Sequence, residues 1–320
     1  MGSKDVIRPR MLKAGSRIAL IAPAGPLLNR DDLTRAEELC RALGYEPVLF
    51  PNAGRAYGYL AGTDEERLAD LNAALRDPSL DAVWCLRGGY GMTRILSQVD
   101  YKALARAPKA VIGYSDITAL LLGIYQETSV VSFHGPVAHS SLSPFTRWHF
   151  DRVLTMPAPA GRLGRVAPPS DVLVPADPRV VTLKSGVAEG RLLGGNLSLL
   201  QCMVGTRHQP DFAGAILFIE DVGEALYRVD RMLSHLKLAG ILDKLAGVVI
   251  GQFTEMDEGG EDGALGFDQV LATYFLPLGI PVAYGFPFGH VTEKWTLPLG
   301  VKARLDAGAG EVEILEPAVS

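Results

Sequence analysis

The chain has 320 residues, 48% of them hydrophobic and 21% charged, with a formal net charge of −5 and a pI near 5.7. That length exceeds one average domain and suits two cores, and the composition excludes a disordered or fibrous protein. An acidic balance with no long run of lysine and arginine leaves no electrostatic footprint for nucleic acid or an anionic membrane, so neither is an expected partner.

Short apolar, β-branched runs alternate with helical patterns through the first half. RIALIAPAG, YEPVLF, LDAVWCLRGG, KAVIGYSD and SVVSFHG carry the predicted strands. Between them, DDLTRAEELCRALG has an acidic start, apolar residues at three- and four-residue spacing and a closing Gly44, and DEERLADLNAALRD repeats that form. Strands alternating with helices at this pace predict an α/β unit over residues 1–156, a Rossmann-like parallel sheet with helices on both faces. From Met156 the pattern stops. Pro157, Pro159, Pro168, Pro169, Pro175 and Pro178, with Gly161 and Gly164, predict a linker over 157–186. Residues 187–320 then read as a smaller, mixed α/β domain. In it GRLLGGNLSLLQCMVG reads as a glycine turn into a helix, GAILFIEDVG and LAGVVIGQF as strands, and ALYRVDRMLSHLKLAGIL as a helix. The tail, LPLGVKARLDAGAGEVEILE, reads as a β-hairpin.

Cys40, Cys85 and Cys202 are scattered, odd in number and without C-x-x-C spacing, and are expected as buried thiols in a reducing compartment. The start, MGSKDVIRPRMLKAGSR, lacks a following apolar core of signal type, and no stretch approaches the roughly 18 apolar residues needed to span a bilayer. The expected compartment is the cytoplasm.

In an open parallel sheet the ligand crevice lies beyond the carboxyl ends of the strands. Three loops there stand out: Ala22–Pro26, Arg87–Gly91 and Gly113–Asp116. KAVIGYSDITALLLGIYQ takes an apolar strand straight into an apolar helix and leaves Ser115 on the turn, the place of a nucleophile elbow. The pattern G-x-S-x-G is half met, because Ile117 stands where the second glycine would be. A serine followed by an aspartate is equally what a helix N-cap needs, and the local sequence leaves both readings open. RGGYG presents backbone amides or makes a tight turn. Its Arg87 and Tyr90 are candidate substrate contacts, Arg87 through its planar fork on a carboxylate. The G-x-G-x-x-G spacing and a Walker lysine are both missing, so no nucleotide cofactor is expected, and no ligand-like histidine spacing points to a metal.

A serine nucleophile needs a histidine oriented by a carboxylate. Of His134, His139, His149, His208, His235 and His290, two lie just past strands: His290 in GFPFGHVTEKW and His134 in SFHGPV. His235 sits on an amphipathic helix and is expected to be structural. For the carboxylate, Glu220, Asp221 and Glu224 in FIEDVGE are not separable locally, since acids at strand ends also cap helices.

Taken together and in this order, IAPAGP, RGGYG, IGYSDITALL, FHGPV, GGNLSLL, FIEDV, YRVDRML and GFPFGHVTEKWTLPLG resemble the LD-carboxypeptidase family, peptidase family S66, from about Arg17 to Leu315. The resemblance implies a triad of Ser115, Glu220 and His290, and an oxyanion hole from the amides of Asp116 and of Gly88 or Gly89. It implies release of terminal D-alanine from the murein tetrapeptide, after meso-diaminopimelate, during cell-wall recycling. It also implies a homodimer. The same family includes enzymes resembling the microcin C self-immunity hydrolase, which cleave an acyl-sulfamoyl adenylate with the same triad. The absence of an evident aromatic insertion for stacking a nucleobase favours the peptide substrate. A reading of another class is a non-catalytic receptor with a ligand between two α/β domains.

Overall fold

All five apolar runs of the first half become strands: β1 (Arg17–Ile21), β2 (Glu46–Leu49), β3 (Ala82–Cys85), β4 (Ala110–Gly113) and β5 (Ser132–His134). They belong to a computed structural model that describes residues 5–29, 31–167, 179–257 and 265–320. Their spatial order is β5-β4-β3-β1-β2, and every pairing among them is parallel. β3 and β4 are buried at every position, which is why their sequences run apolar without alternation. The helices are α1 (Asp31–Ala42), α2 (Asp64–Arg76), α3 (Met92–Ile95), α4 (Tyr101–Arg106), α5 (Thr118–Thr128) and α6 (Pro144–Leu154). A reciprocal capping box starts α2: Thr63 Oγ1 accepts from the Glu66 amide, and the Glu66 carboxylate accepts from the Thr63 amide.

The second half adds β6 (Pro159–Arg162), β7 (Val181–Lys184), β8 (Val187–Asn196), α7 (Leu197–Met203), β9 (Ile216–Val222), α8 (Leu226–Leu238) and β10 (Gly247–Thr254). It continues with α9 (Phe267–Phe275), β11 (Val282–Tyr284), β12 (Leu297–Leu299), β13 (Lys302–Asp306) and β14 (Glu311–Pro317). Eight of these strands form one sheet in the order β6-β14-β13-β8-β9-β10-β11-β7. Its centre, β8-β9-β10-β11, is parallel, and its flanks are antiparallel. The expected hairpin is β13–β14, with Ala303 opposite Ile314. The chain is thus α/β throughout, a parallel-strand sheet beside a mixed one. Among the described residues no helix is long and apolar enough to cross a membrane.

Several elements differ from what the sequence leads one to expect. The stretch 157–186 holds β6 and β7, the two edge strands of the second sheet. Pro159 opens β6, a position where a missing amide costs least. Pro168, Pro169, Pro175 and Pro178 lie outside the described residues. The glycines of GRLLGG end strand β8 instead of forming a turn. A Cβ on Gly194 would fall 1.8 Å from the Phe218 carbonyl oxygen, so the bare backbone is what lets β8 press onto β9. Strand β12 leaves the second half and pairs antiparallel with β5, Leu297 opposite His134, completing a six-stranded first sheet. Cys40 and Cys85 are buried as expected, whereas Cys202 is exposed.

Trp84 and Trp295 are core residues, 1% and 2% exposed. Trp84 stacks on Phe150 with centroids 5.0 Å apart and donates its indole hydrogen to the Pro136 carbonyl at 2.7 Å. A Trp84→Ala variant is expected to lose about 3–5 kcal/mol of stability through the cavity and the unpaired carbonyl. The check is a lower denaturant midpoint at unchanged slope in equilibrium unfolding.

Candidate functional site

Strand β4 runs into Tyr114, which is extended at φ −151°, and then into Ser115 at φ +63°. That left-handed conformation is costly for a side chain other than glycine and marks a forced turn. Ser115 opens a short 3-10 turn, Ser115–Ile117, that leads into α5. No side-chain cap bond forms at either start, so Ser115 does not act as the N-cap its sequence also allowed. The departure from G-x-S-x-G has a spatial reason. A Cβ on Gly113 would lie 2.9 Å from Ile117 Cγ2, so the small residue before the serine makes the room that the larger one after it fills.

The loop carrying Gly88 and Gly89 closes over this turn. A Cβ on Gly88 would sit 2.7 Å from Ser115 Cβ and 3.0 Å from its Oγ, so only glycine lets that backbone approach the serine. Asp116 is buried, and its carboxylate accepts the Met92 amide at 2.7 Å, tying the turn to the start of α3. Burial pushes the Asp116 carboxyl up to about 6, against the Met92 bond and the Arg67 charge. The first loop joins in: the Gly25 amide donates to the Gly88 carbonyl at 2.8 Å. Arg87 donates to the Pro26 carbonyl, and the buried Arg67 donates to the carbonyls of Pro23 and Gly91 and pairs with Asp64. Tyr90 is 48% exposed, its ring edge-to-face with Tyr59 at 5.6 Å.

Strand β9 settles which acid faces which way, because successive side chains point to opposite faces. Asp221 accepts from Asn196 Nδ2 at 2.8 Å and from the amide and hydroxyl of Ser198 at 2.9 and 2.8 Å, so it secures the start of α7. Glu224 meets the Ser198 hydroxyl at 3.4 Å and Arg228 at 3.7 Å. Glu220 is fully buried, and its Oε2 lies 2.7 Å from His290 Nδ1. Burial pushes the Glu220 carboxyl up, and the His290 bond pulls it back. An ionised Glu220 makes Nδ1 the protonated nitrogen and leaves Nε2 as the basic one.

His290 lies in the loop after β11, built on buried Phe286, Phe288 and Trp295. The loop is fixed by the Trp295 amide on the Pro287 carbonyl at 2.8 Å and the Trp295 indole on the Gly164 carbonyl at 2.7 Å. Gly289 has φ +106°, and a Cβ there would be 2.7 Å from Glu220 Oε2 and 2.8 Å from its Cβ. The His290 ring is 4.9 Å from the ring of Tyr114, the residue before Ser115, which brings the two halves of the candidate site together.

The rival, His134, is 2% exposed, and neither ring nitrogen has a partner among the described residues. Burial, with the charges of His290 and Lys294, pushes it down to about 3, so it stays neutral. Its ring packs against Phe218 at 5.3 Å and Tyr114 at 6.0 Å. His235 bonds Gln201 on the neighbouring α7, in keeping with a structural place. Sequence reasoning passed over Lys294, although a charged residue inside the aromatic run FPFGHVTEKW was a usable signal.

Comparison with known proteins identifies the family. Residues 18–135 match the LD-carboxypeptidase N-terminal domain and residues 189–305 the LD-carboxypeptidase C-terminal domain. The chain is 36% identical over 318 residues to a probable murein peptide carboxypeptidase of Bacillus subtilis, covering 98% of this chain and 95% of the relative. It is 30% identical over 332 residues to the microcin C7 self-immunity protein MccF of Escherichia coli, covering 97% and 96%. The wild-type apo structure of MccF superposes with a TM-score of 0.89 over 98% of this chain and 100% of that one, at 28% identity. The muramoyltetrapeptide carboxypeptidase of Oxalobacter formigenes superposes with a TM-score of 0.79 at 36% identity, over 93% and 98%. With both halves matched in order and relatives aligned end to end, this chain belongs to the LD-carboxypeptidase family, peptidase family S66.

Proposed function

We propose that the chain is a serine carboxypeptidase that releases the terminal D-alanine of the murein tetrapeptide at the L,D bond after meso-diaminopimelate. The observation that carries this reading is the 2.7 Å bond from His290 Nδ1 to the fully buried Glu220, on a loop packed against the residue that precedes Ser115. Ser115 is the nucleophile, His290 its base and Glu220 the carboxylate that fixes the imidazole. His290 Nε2 takes the Ser115 proton as Oγ attacks the peptide carbonyl, and the developing oxyanion meets the amides of Asp116 and of Gly88 or Gly89. His290 then returns the proton to the leaving amine. D-alanine departs, and water attacks the acyl-enzyme with the same base. Arg87 and Tyr90 are proposed substrate contacts, Arg87 with the part of its fork not engaged by Pro26. No cofactor enters these steps.

A second reading is supported by one feature of the surface. Tyr90 on the RGGYG loop and Tyr59 on the segment before α2, 48% and 68% exposed, together offer an aromatic rim that suits a nucleobase, as an acyl-sulfamoyl adenylate substrate would require. The third reading, a receptor without catalysis, predicts binding with no turnover. We further propose that the protein works in the cytoplasm as a homodimer. Its three cysteines are all free, the exposed Cys202 included, which supports a reducing compartment. Light scattering is expected to give a mass near twice 34.3 kDa, and a monomer mass would remove the dimer.

The test is D-alanine release from purified tetrapeptide by wild type and Ser115→Ala, with a microcin-type adenylate in parallel. We expect turnover of the tetrapeptide, reduced by roughly 10⁴-fold or more in the variant. Hydrolysis of the adenylate alone would shift the assignment to the second reading, and silence on both to the receptor. Gly289→Ala is expected to lose on the order of 10²-fold in kcat, because the added methyl displaces Glu220 from His290. Unchanged turnover by a folded Gly289→Ala protein would show that this contact does not set the geometry of the base.

A further inference from the structure

Lys294 lies four residues after His290, and its side chain is 7% exposed. Its backbone amide is fixed on Thr146 Oγ1 at 3.0 Å, and its ammonium stands 4.3 Å above the centre of the Tyr114 ring. Tyr114 immediately precedes Ser115, and its ring also meets His290. Among the described residues this ammonium has no carboxylate within ion-pair distance and no hydrogen-bond acceptor. Tyr114 from the turn lies beneath it, and the charges that act on it or with it are Glu220 from β9, which favours the ammonium, and His134 from β5, which the ammonium depresses. Glu220 favours the charged ammonium at a distance but does not bond it: Oε2 is held by His290, and Oε1 has no hydrogen-bond partner among the described residues. A largely buried cation whose nitrogen still reaches solvent is incompletely compensated, and an anion arriving beside it gains both charge and hydrogen bonds.

We propose that the Lys294 ammonium receives the free carboxylate of the residue that leaves in the reaction. This rests on the carboxypeptidase reading above and deepens it. A peptidase becomes a carboxypeptidase by requiring a chain end, and the distinguishing feature of that end is a carboxylate one residue past the scissile carbonyl. An ammonium stacked on the residue before the nucleophile belongs to the same neighbourhood. Arg87, on the opposite loop and tied to Pro26, remains available to a carboxylate on the acyl side.

The experiment compares kcat/KM for the tetrapeptide and for the same peptide ending in D-alaninamide, in wild type, Lys294→Met and Lys294→Arg. Wild type is expected to prefer the free acid by on the order of tenfold to a hundredfold. Lys294→Met should abolish that preference through a raised KM for the acid, bringing kcat/KM for acid and amide together, with its folding checked by an unchanged denaturant slope in equilibrium unfolding. Lys294→Arg should keep most of the preference. Burial pushes the Lys294 ammonium down to about 8, so the acid preference of the wild type should fade as pH rises through that value and persist in Lys294→Arg. Equal use of acid and amide by wild type, or a preference that survives in Lys294→Met, overturns the assignment and leaves the carboxypeptidase reading standing. Failure of wild type to release D-alanine from the tetrapeptide overturns both together.

Discussion

The site depends on how closely two halves of one chain are held, and the join is made where α5 meets the end of β8. A Cβ on Gly195 would lie 2.5 Å from Thr118 Cγ2, so the strand touches the helix backbone to side chain. The next residue, Asn196, donates its amide to Thr118 Oγ1 at 3.1 Å and pairs in register with Glu220. Thr118 is the first residue of the helix that Ser115 introduces. A single contact therefore links the turn of the first half to the strand position of the carboxylate in the second. Strand β12 reinforces the join, because the chain returns from the His290 loop to the first sheet only seven residues after the histidine. Catalytic groups on separate units must be held to within a fraction of an ångström, and a packed backbone does this more rigidly than long side chains bridging a cleft.

The energetics of Glu220 follow from the same closeness. A fully buried carboxylate costs several kcal/mol when it stands alone, and the protein compensates it with one short bond from His290. Burial still raises the Glu220 carboxyl against that bond, so its compensation is incomplete. When the imidazole gains a proton in the proposed reaction, the attraction becomes charge to charge in a medium of low dielectric. Burial that weakens the ground state thereby favours the transition state selectively, which is the form of binding that speeds a reaction. An exposed carboxylate would hold the ring with similar geometry and a smaller gain.

The first five strands were legible because buried parallel strands have continuous apolar sequence and their breaks are sharp. Ser115 was legible as a turn between strand and helix, yet whether its hydroxyl caps that helix was not, since this depends on local backbone geometry, a φ of +63° with no side-chain cap bond. Glu220 and Asp221 were inseparable by pattern because one residue of strand register sends them to opposite faces, one towards His290 and the other to α7. The proline-crowded stretch misleads for a physical reason. Edge strands tolerate proline and show little alternation, so β6 and β7 carry none of the marks that central strands do. β12 is short, contains Pro298 and pairs with β5, some 160 residues earlier, a distance over which no local signal carries.

The choice between a peptide and an adenylate turns on groups of different energetic standing. Tyr59 and Tyr90 are exposed at the rim and already in contact with each other, so their presence costs the folded protein little and commits it to little. The Lys294 side chain is 7% exposed, its ammonium stacked on Tyr114 and without a hydrogen-bond partner among the described residues, and the part of its hydration lost there costs stability that a bound anion restores. By linkage, whatever ligand restores that stability is bound more tightly by the same amount. A terminal carboxylate beside the scissile bond meets that condition. The cost borne in the resting protein therefore points to the smaller, anionic leaving group.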